Sequence, residues 1–395
     1  MKKLRVGILF GGRSGEHEIS LLSAASVFKA IDKNKCEVVP IGITKEGRWV
    51  TSGDAERLLS GQPLHEERHL RAGDPEATAQ AAVLQNGEAI VVPPEPHTPG
   101  SSLRPFQTDV MTRRASDRAI SVDVIFPVLH GTFGEDGTVQ GLLELADLAY
   151  VGAGVLGSAA GMDKDIMKSL FRASGLPIVK HVTVLRSDWD DKPKKVEKLV
   201  ESKLKYPVFV KPANLGSSVG ISKAHDRKQL GPAIAEAAKF DRKIVIEAGV
   251  GGKTNKAREI ECAVLGNDDP KASVPGEIVP SAEFYDYSAK YVEEGSQLII
   301  PAKLSKTESK KVQELAVAAF RAVDCSGLAR VDFLMDPKSR KLYLNEINTM
   351  PGFTSISMYP KLWAATGVSY PELIERLIQL GLERHADKKK NQYSR

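Results

Sequence analysis

The chain has 395 residues, 42% of them apolar, and sets 55 Lys and Arg against 50 Asp and Glu. That length exceeds one core of roughly 100–200 residues, so a globular protein of two or three packed units is expected. The slight basic excess, partly gathered in the tail "DKKKNQYSR", reads as a frayed, solvated end and not as a nucleic-acid footprint, and no stretch approaches the roughly 20 apolar residues of a membrane span. Cys36, Cys262 and Cys325 are odd in number and far apart, which excludes a zinc ribbon or a paired redox motif and reads as reduced thiols. With no signal-peptide core in "MKKLRVGILFGGRSG", the expected location is the cytoplasm.

Residues 4–10, "LRVGILF", form a β-rich run ending in Gly-Gly, and the segment after it spaces Ile19, Leu22, Ala25, Val27 and Ile31 as a helix does. Strand, glycine turn and helix open an α/β unit, expected over 1–158. Within it, residues 52–118 lack periodicity apart from "AIVVPP" and read as an elaborated surface insertion. The core resumes at "VDVIFPVLHG". A second unit, 159–247, opens with an amphipathic helix from about Asp163 to Gly175-Leu176-Pro177, and its strands "YPVFVKPA" and "RKIVIEA" flank a helix near 226–239. A third, 248–385, holds "REIECAVLG", "GEIVPSAEFYDY", a long helix near 306–324 and the hairpin "LARVDFLMDPKSRKLYLNEIN", before a basic tail at 386–395. No internal repeat is present.

The hairpin carries the most explicit chemistry. If "DPKSRK" is its connection, residue 336 faces 342, so Asp332 lies opposite Glu346 and Arg330 opposite Asn348, all four on one face. Two carboxylates and an amide oxygen suit Mg²⁺, which prefers oxygen and keeps waters and substrate phosphates. Arg330 beside them would meet a transferring phosphoryl group or an oxyanion. The plain alternative is a surface ladder of charged pairs, but "NTMPG" follows at once and brings free backbone N–H groups close by.

In "FVKPANLGSSVGISK", Lys211 ends a strand before a loop of Gly216, Ser217, Ser218, Val219 and Gly220. Small residues let backbone N–H groups approach a phosphate while the lysine supplies a point charge, although the order is not that of a Walker loop. A Gly-Ser linker is the alternative. Lys164 in "GMDKDIMK" is a second phosphate candidate, and taken alone also reads as a solvated helix residue. In "GGRSGEHEIS" the glycine spacing fails the dinucleotide fingerprint, and Glu16 and Glu18 at the helix start would repel an anion but accept an ammonium group. His130 in "LHGTFGEDGTVQG" sits at the C-terminal end of a strand, where open α/β sheets bind ligands, or is an ordinary core-edge histidine. "AEFYDYSAKYVEEGSQLIIPA", with Tyr285, Tyr287, Tyr291 and Lys290, reads as a closing flap or as a surface loop held down by tyrosines.

These segments, in this order over almost the whole chain, closely resemble the D-alanyl-D-alanine ligase family of the ATP-grasp superfamily. The resemblance rests on "GGRSGEHEISLLSA", "LHGTFGEDGTVQG", "KPANLGSSVGISK", "FYDYSAKY" and "RVDFLMD" with "NEINTMPGFTSISMYPKL". It implies an α/β (α+β) fold of three domains, the first an open Rossmann-like domain, with ATP gripped between the other two. It further implies ligation of two D-alanines through a D-alanyl phosphate for peptidoglycan precursors, by a homodimer needing two Mg²⁺ (or Mn²⁺).

Residue by residue, the resemblance implies that Asp332, Glu346 and Asn348 hold the metals, with Glu346 bridging them. Lys164, Lys211 and Lys290 would contact ATP phosphates under the loop from Gly216 to Gly220. Glu247, with the backbone at Ala248 and Val250, would meet adenine, and Glu259 the ribose. Glu18 would bind the first D-alanine's ammonium, with His130 near its carboxylate. Arg330 and the Gly352 N–H would stabilise the oxyanion, while Ser357 and Met358 would hold the second substrate's carboxylate. Ser217, Tyr291 and Glu18 would latch loop to flap. Leu215 stands where some members have an acid and is given no role. A sister ligase making D-alanyl-D-lactate or D-alanyl-D-serine shares nearly every motif, and Tyr291 speaks against the lactate form. A biotin-dependent carboxylase would keep the metal hairpin without reason for the N-terminal acids. A non-catalytic nucleotide-binding protein would have lost a metal or phosphate residue, and none is lost.

Overall fold

A computed structural model describes residues 3–51, 88–91, 104–105, 121–216, 218–251, 256–279 and 297–393. Strand β1 (Leu4–Gly11) turns into helix α1 (His17–Ala30) through Gly11 and Gly12, with φ of +89° and +103°. A Cβ on Gly11 would lie 2.2 Å from the Ile43 carbonyl oxygen, so only glycine fits this turn. Strand β1 lies parallel between β2 (Cys36–Ile43) and β6 (Val124–Pro127), while β3 (Trp49–Thr51), β4 (Glu88–Val91) and β5 (Arg104–Pro105) extend the sheet antiparallel beyond β2. Apart from β4 and β5, most of the insertion read at 52–118 lies outside the described residues. Helices α2 (Thr138–Leu145), α3 (Val155–Met162) and α4 (Lys164–Ala173) follow, the last capped by Asp163, whose carboxylate accepts from the Asp165 and Ile166 N–H groups.

The second sheet is antiparallel, in the order β7 (His181–Leu185), β10 (Lys243–Ala248), β8 (Val208–Pro212), β9 (Ser222–Ala224). After β7 come α5 (Arg186–Asp191) and α6 (Pro193–Lys203), and after β9 comes α7 (Arg227–Ala237). Alternation puts Val208, Val210, Ile244 and Ile246 into a core with α6 and α7, and turns Phe209, Lys211 and Glu247 the other way.

The third sheet is also antiparallel, in the order β14 (Gln297–Ile299), β13 (Gly276–Val279), β11 (Arg258–Gly266), β15 (Gly327–Met335), β16 (Leu342–Asn348), with β12 (Lys271–Ala272) on β11. Helix α8 (Lys306–Ala322), started by a Ser305–Glu308 capping box, buries Val312, Ala316 and Phe320 against Ile260, Val331 and Phe333. Met167 and Phe171 of α4 join that same core, although the sequence places them in the second unit. Helices α9 (Met358–Thr366) and α10 (Tyr370–Lys388) return to the first sheet, where Tyr359, Trp363 and Leu373 pack with Val6, Ile8 and Phe126. The basic tail is not frayed where it begins. Lys388 is still helical and paired with Glu144, and Lys389 Nζ lies 3.2 Å from Asp147 Oδ2. Among the described residues, no helix is long and apolar enough to cross a membrane.

Candidate active site

The strand faces not covered by helices in the second and third sheets converge, with the end of the first, on a cleft of about 640 Å³. The hairpin supplies one wall. Arg330 pairs with Asn348 and Asp332 with Glu346, as the alternation predicts, but the register nearer the turn differs from the expected one. Asp336 N–H donates to the Lys341 carbonyl, and Phe333 pairs with Leu344, so Asn345 is an extra residue in a β-bulge. The bulge lets Leu344 and Ile347 both reach the core while Glu346 and Asn348 face the cleft. Arg330 donates to both Asp332 oxygens at 2.7 Å and lies 3.1 Å from Glu261 Oε2, and Asn348 Nδ2 donates to Asp332 Oδ2 at 3.0 Å. Among the described residues, no three His, Cys, Asp or Glu side chains gather as a ready-made cation cage.

The floor is cationic. Lys211 Nζ lies 2.8 Å from Glu247 Oε2, and Lys168 Nζ, from α4, lies 2.9 Å from Glu247 Oε1. Burial alone would raise the Glu247 pKa, but the two lysines overcome it and hold the carboxyl down at about 2. The Glu247 carboxylate, expected at the adenine, thus sits between two lysines at the end of a strand that lines the cleft. Lys164 is no solvated helix residue either. It is buried, its Nζ donates to the Leu215 carbonyl at 2.7 Å, and it lines the cleft beside Gly216 and Ser218. Val219 and Gly220 continue that loop, and Gly220, with φ of +70°, packs so closely on Phe240 that a Cβ would lie 2.5 Å from its ring.

At the helix start the two acids separate. Glu18 pairs with Lys45 at 2.7 Å with its side chain 45% exposed, and it does not line the cleft. Glu16 does, and it is buried: a Cβ on Gly131 would lie 3.0 Å from Glu16 Oε2, and one on Gly216 3.1 Å from it. The acid that faces the Gly216 segment is thus Glu16, the N-cap residue of α1, and not Glu18, on which the expectation falls. Next to it, His130 is buried with Nδ1 3.5 Å from Glu135 Oε1 and Nε2 3.2 Å from Ser23 Oγ. Burial disfavours the imidazolium, but Glu135 and Glu16 outweigh it and raise the His130 pKa above its ordinary value. Burial likewise raises the Glu135 pKa, against the pull of His130.

Further expected residues line the same cleft. Ala248, Val250 and Glu259 line it, as do Phe209, Ile278 and Leu334. Gly352, Ser357 and Met358 line it too, and a Cβ on Gly352 would lie 3.1 Å from Ser357 Oγ. Ser357 is the N-cap of α9, so the Met358 N–H belongs to a helix's first turn, where amides point at anions. Ser217, Lys290 and Tyr291 lie outside the described residues. Sequence reading missed Lys168 altogether. Its only signal was a lysine four positions after Lys164, on the same face of an amphipathic helix.

Comparison with known proteins identifies the family. Residues 5–153 match the family described as D-ala D-ala ligase N-terminus, and residues 170–379 the one described as D-ala D-ala ligase C-terminus. A D-alanine–D-alanine ligase of Heliobacterium modesticaldum is 48% identical over 392 residues, covering 99% of this chain and 98% of that protein. The structure of the D-alanine-D-alanine ligase from Coxiella burnetii aligns with a TM-score of 0.80 at 36% identity, over 99% of this chain and 97% of that one. The VanG D-Ala:D-Ser ligase from Enterococcus faecalis aligns with a TM-score of 0.79 at 34% identity, over 96% of this chain and 100% of that one.

Proposed function

The chain belongs to the D-alanine–D-alanine ligase family, and from that premise we propose that it joins two D-alanine molecules into D-alanyl-D-alanine, using ATP, for peptidoglycan precursor synthesis. The observation that carries this reading is the single cleft in which Glu16, Lys211, Glu346 and Ser357 meet from all three sheets and the α9 N-terminus. On this reading ATP lies between the units 159–247 and 248–385, and the unit 1–158 brings the first substrate.

The first D-alanine's ammonium binds Glu16, and its carboxylate lies near His130. Lys164, Lys211 and the loop from Gly216 to Gly220, Ser217 included, hold the ATP phosphates, and Lys290 reaches them from the flap. Adenine meets the backbone of Glu247, Ala248 and Val250, and the ribose meets Glu259. Asp332, Glu346 and the Asn348 amide oxygen, all hard oxygen donors, would hold Mg²⁺ or Mn²⁺, which when bound would supply charge neutralisation at the transferring phosphoryl group.

A carboxylate is a poor acyl donor, so its oxygen attacks the γ-phosphorus while the bond to ADP breaks, giving an acyl phosphate. The second D-alanine, its carboxylate at Ser357 and the Met358 N–H, attacks through its neutral amine. Arg330, held rigid by Asp332 and Glu261, and the Gly352 N–H stabilise the tetrahedral oxyanion, which expels phosphate. Acyl phosphates hydrolyse readily, so closure by the loop and by a flap bearing Tyr291 protects the intermediate. We further infer a cytoplasmic homodimer, as the resemblance implies.

The test offers the purified protein ATP, Mg²⁺ and either D-alanine, L-alanine, or D-alanine with D-lactate or D-serine, and identifies products by mass. D-Alanyl-D-alanine from D-alanine alone is expected. A depsipeptide or D-alanyl-D-serine as the favoured product would transfer the chain to a sister activity, and no product from D-alanine would refute the reading.

A further inference from the structure

Lys168 is fully buried on α4 and is not among the residues that line the cleft, so the proposed binding of ATP and D-alanine gives it no direct contact. Burying an ammonium costs several kcal/mol unless its partners compensate, and an apolar side chain would fill the same space without that cost. Its partners form a closed ring. Lys168 Nζ lies 2.9 Å from Glu247 Oε1 and donates to the Asn345 carbonyl at 3.1 Å. Glu247 Oε2 lies 2.8 Å from Lys211 Nζ, and Lys211 Nζ donates to Asn345 Oδ1 at 3.4 Å. Asn345 is the bulge residue directly before Glu346, so both its backbone and its side chain are aimed at these lysines.

We propose that Lys168 is a positioning residue for ATP: it shares Glu247 with Lys211, keeping Lys211 oriented and its charge available to phosphate. The inference rests on the reading of Lys211 as a phosphate ligand. A carboxylate paired with one lysine neutralises it, whereas the same carboxylate shared between two leaves the group with a net positive charge. Without Lys168, Glu247 would hold Lys211 as a neutral pair turned from the cleft. The same ammonium ties α4 to the strand that presents Glu346, so the phosphate lysine and the metal strand keep one spacing.

The test compares Lys168→Gln, which keeps hydrogen-bond donors but drops the charge, with Lys168→Arg, which restores it, and repeats Lys168→Gln in a Lys211→Met background. The readouts are ATP affinity by calorimetry, KM and kcat, and thermal melting. Lys168→Gln is expected to raise the Kd and KM for ATP about tenfold, a coupling of ordinary size for groups in one network, with the KM for D-alanine unchanged. Lys168→Arg should recover most of that loss, and in the Lys211→Met background the effect should shrink below about twofold, because a residue acting through Lys211 has nothing left to act on. Unchanged ATP affinity in Lys168→Gln, or an equal loss in both backgrounds, would overturn the inference and leave Lys168 a structural residue. Undiminished ATP affinity in Lys211→Met alone would instead overturn the reading of Lys211, and the inference with it. If Lys168→Gln melts too low to assay, Lys168→Arg decides: near-normal ATP affinity is expected, and a loss as large as that of Lys211→Met would contradict a role for the charge.

Discussion

Asp332 and Glu346 face one another across the β15–β16 ladder at the point where the ladder slips by one residue. Their carboxylates reach the cleft while Phe333 and Leu344, next along the same strands, are buried in the core. Glu346→Gln keeps the size and hydrogen bonding of this site but removes a charge, so turnover should fall about 10²–10³-fold, as for loss of one transition-state electrostatic contact. Circular dichroism and melting should stay near wild type. Wild-type turnover would refute the metal assignment.

Glu16 and Glu18 should behave oppositely. Glu16→Gln is expected to lower kcat/KM for D-alanine by about 10²-fold, the cost of leaving a bound ammonium without its charged acceptor. Glu18→Gln loses only an exposed pair with Lys45, so activity should hold and stability should change by less than about 1 kcal/mol. Steady-state kinetics on the two variants decides, and a larger loss from Glu18→Gln would return the ammonium to Glu18.

Local sequence specifies the hairpin face but not which of these two acids faces the cleft. Side-chain alternation in the hairpin is local, so Arg330, Asp332, Glu346 and Asn348 were readable as one face. Which of two acids at a helix start enters the cleft depends on Gly131 and Gly216, more than 100 and nearly 200 residues away in sequence. Lys168 and Lys164 look alike on a helical wheel, and only the arrival of β10 with Glu247 buries the first and leaves the second at the cleft. The bulge at Asn345 has no glycine to announce it, which is why the turn register was misjudged by one residue.

His130 and Glu135 give a pH dependence. Because Glu135 and Glu16 raise the His130 pKa against its burial, the imidazolium persists above the ordinary histidine range, and the kcat/KM for D-alanine should fall as pH rises through that pKa. Glu135→Gln removes the main supporting contact, so this alkaline fall should begin at lower pH. A pH profile of kcat/KM that does not move in the variant would contradict the coupling.

The Glu247 carboxylate, between Lys168 and Lys211, contributes to stability. Its carboxyl titrates near 4.5 in an unfolded chain and near 2 in the folded one, so its contribution is complete above pH 4.5 and is lost as pH falls through 2. Glu247→Gln leaves Lys168 and Lys211 without their shared counter-charge, which should cost about 3–5 kcal/mol at pH 7. Denaturant titrations should show the gap from wild type narrowing below pH 4.5, and a gap constant with pH would exclude this ion pair as its source.

Activation of one D-alanine by phosphorylation of its own carboxylate, as proposed, would move a carboxylate oxygen into the released phosphate. The most direct measurement supplies D-alanine labelled with ¹⁸O in both carboxylate oxygens, with ATP and Mg²⁺, and analyses the released phosphate by mass. One ¹⁸O in the phosphate is expected for each dipeptide formed; dipeptide accompanied by unlabelled phosphate would exclude an acyl phosphate.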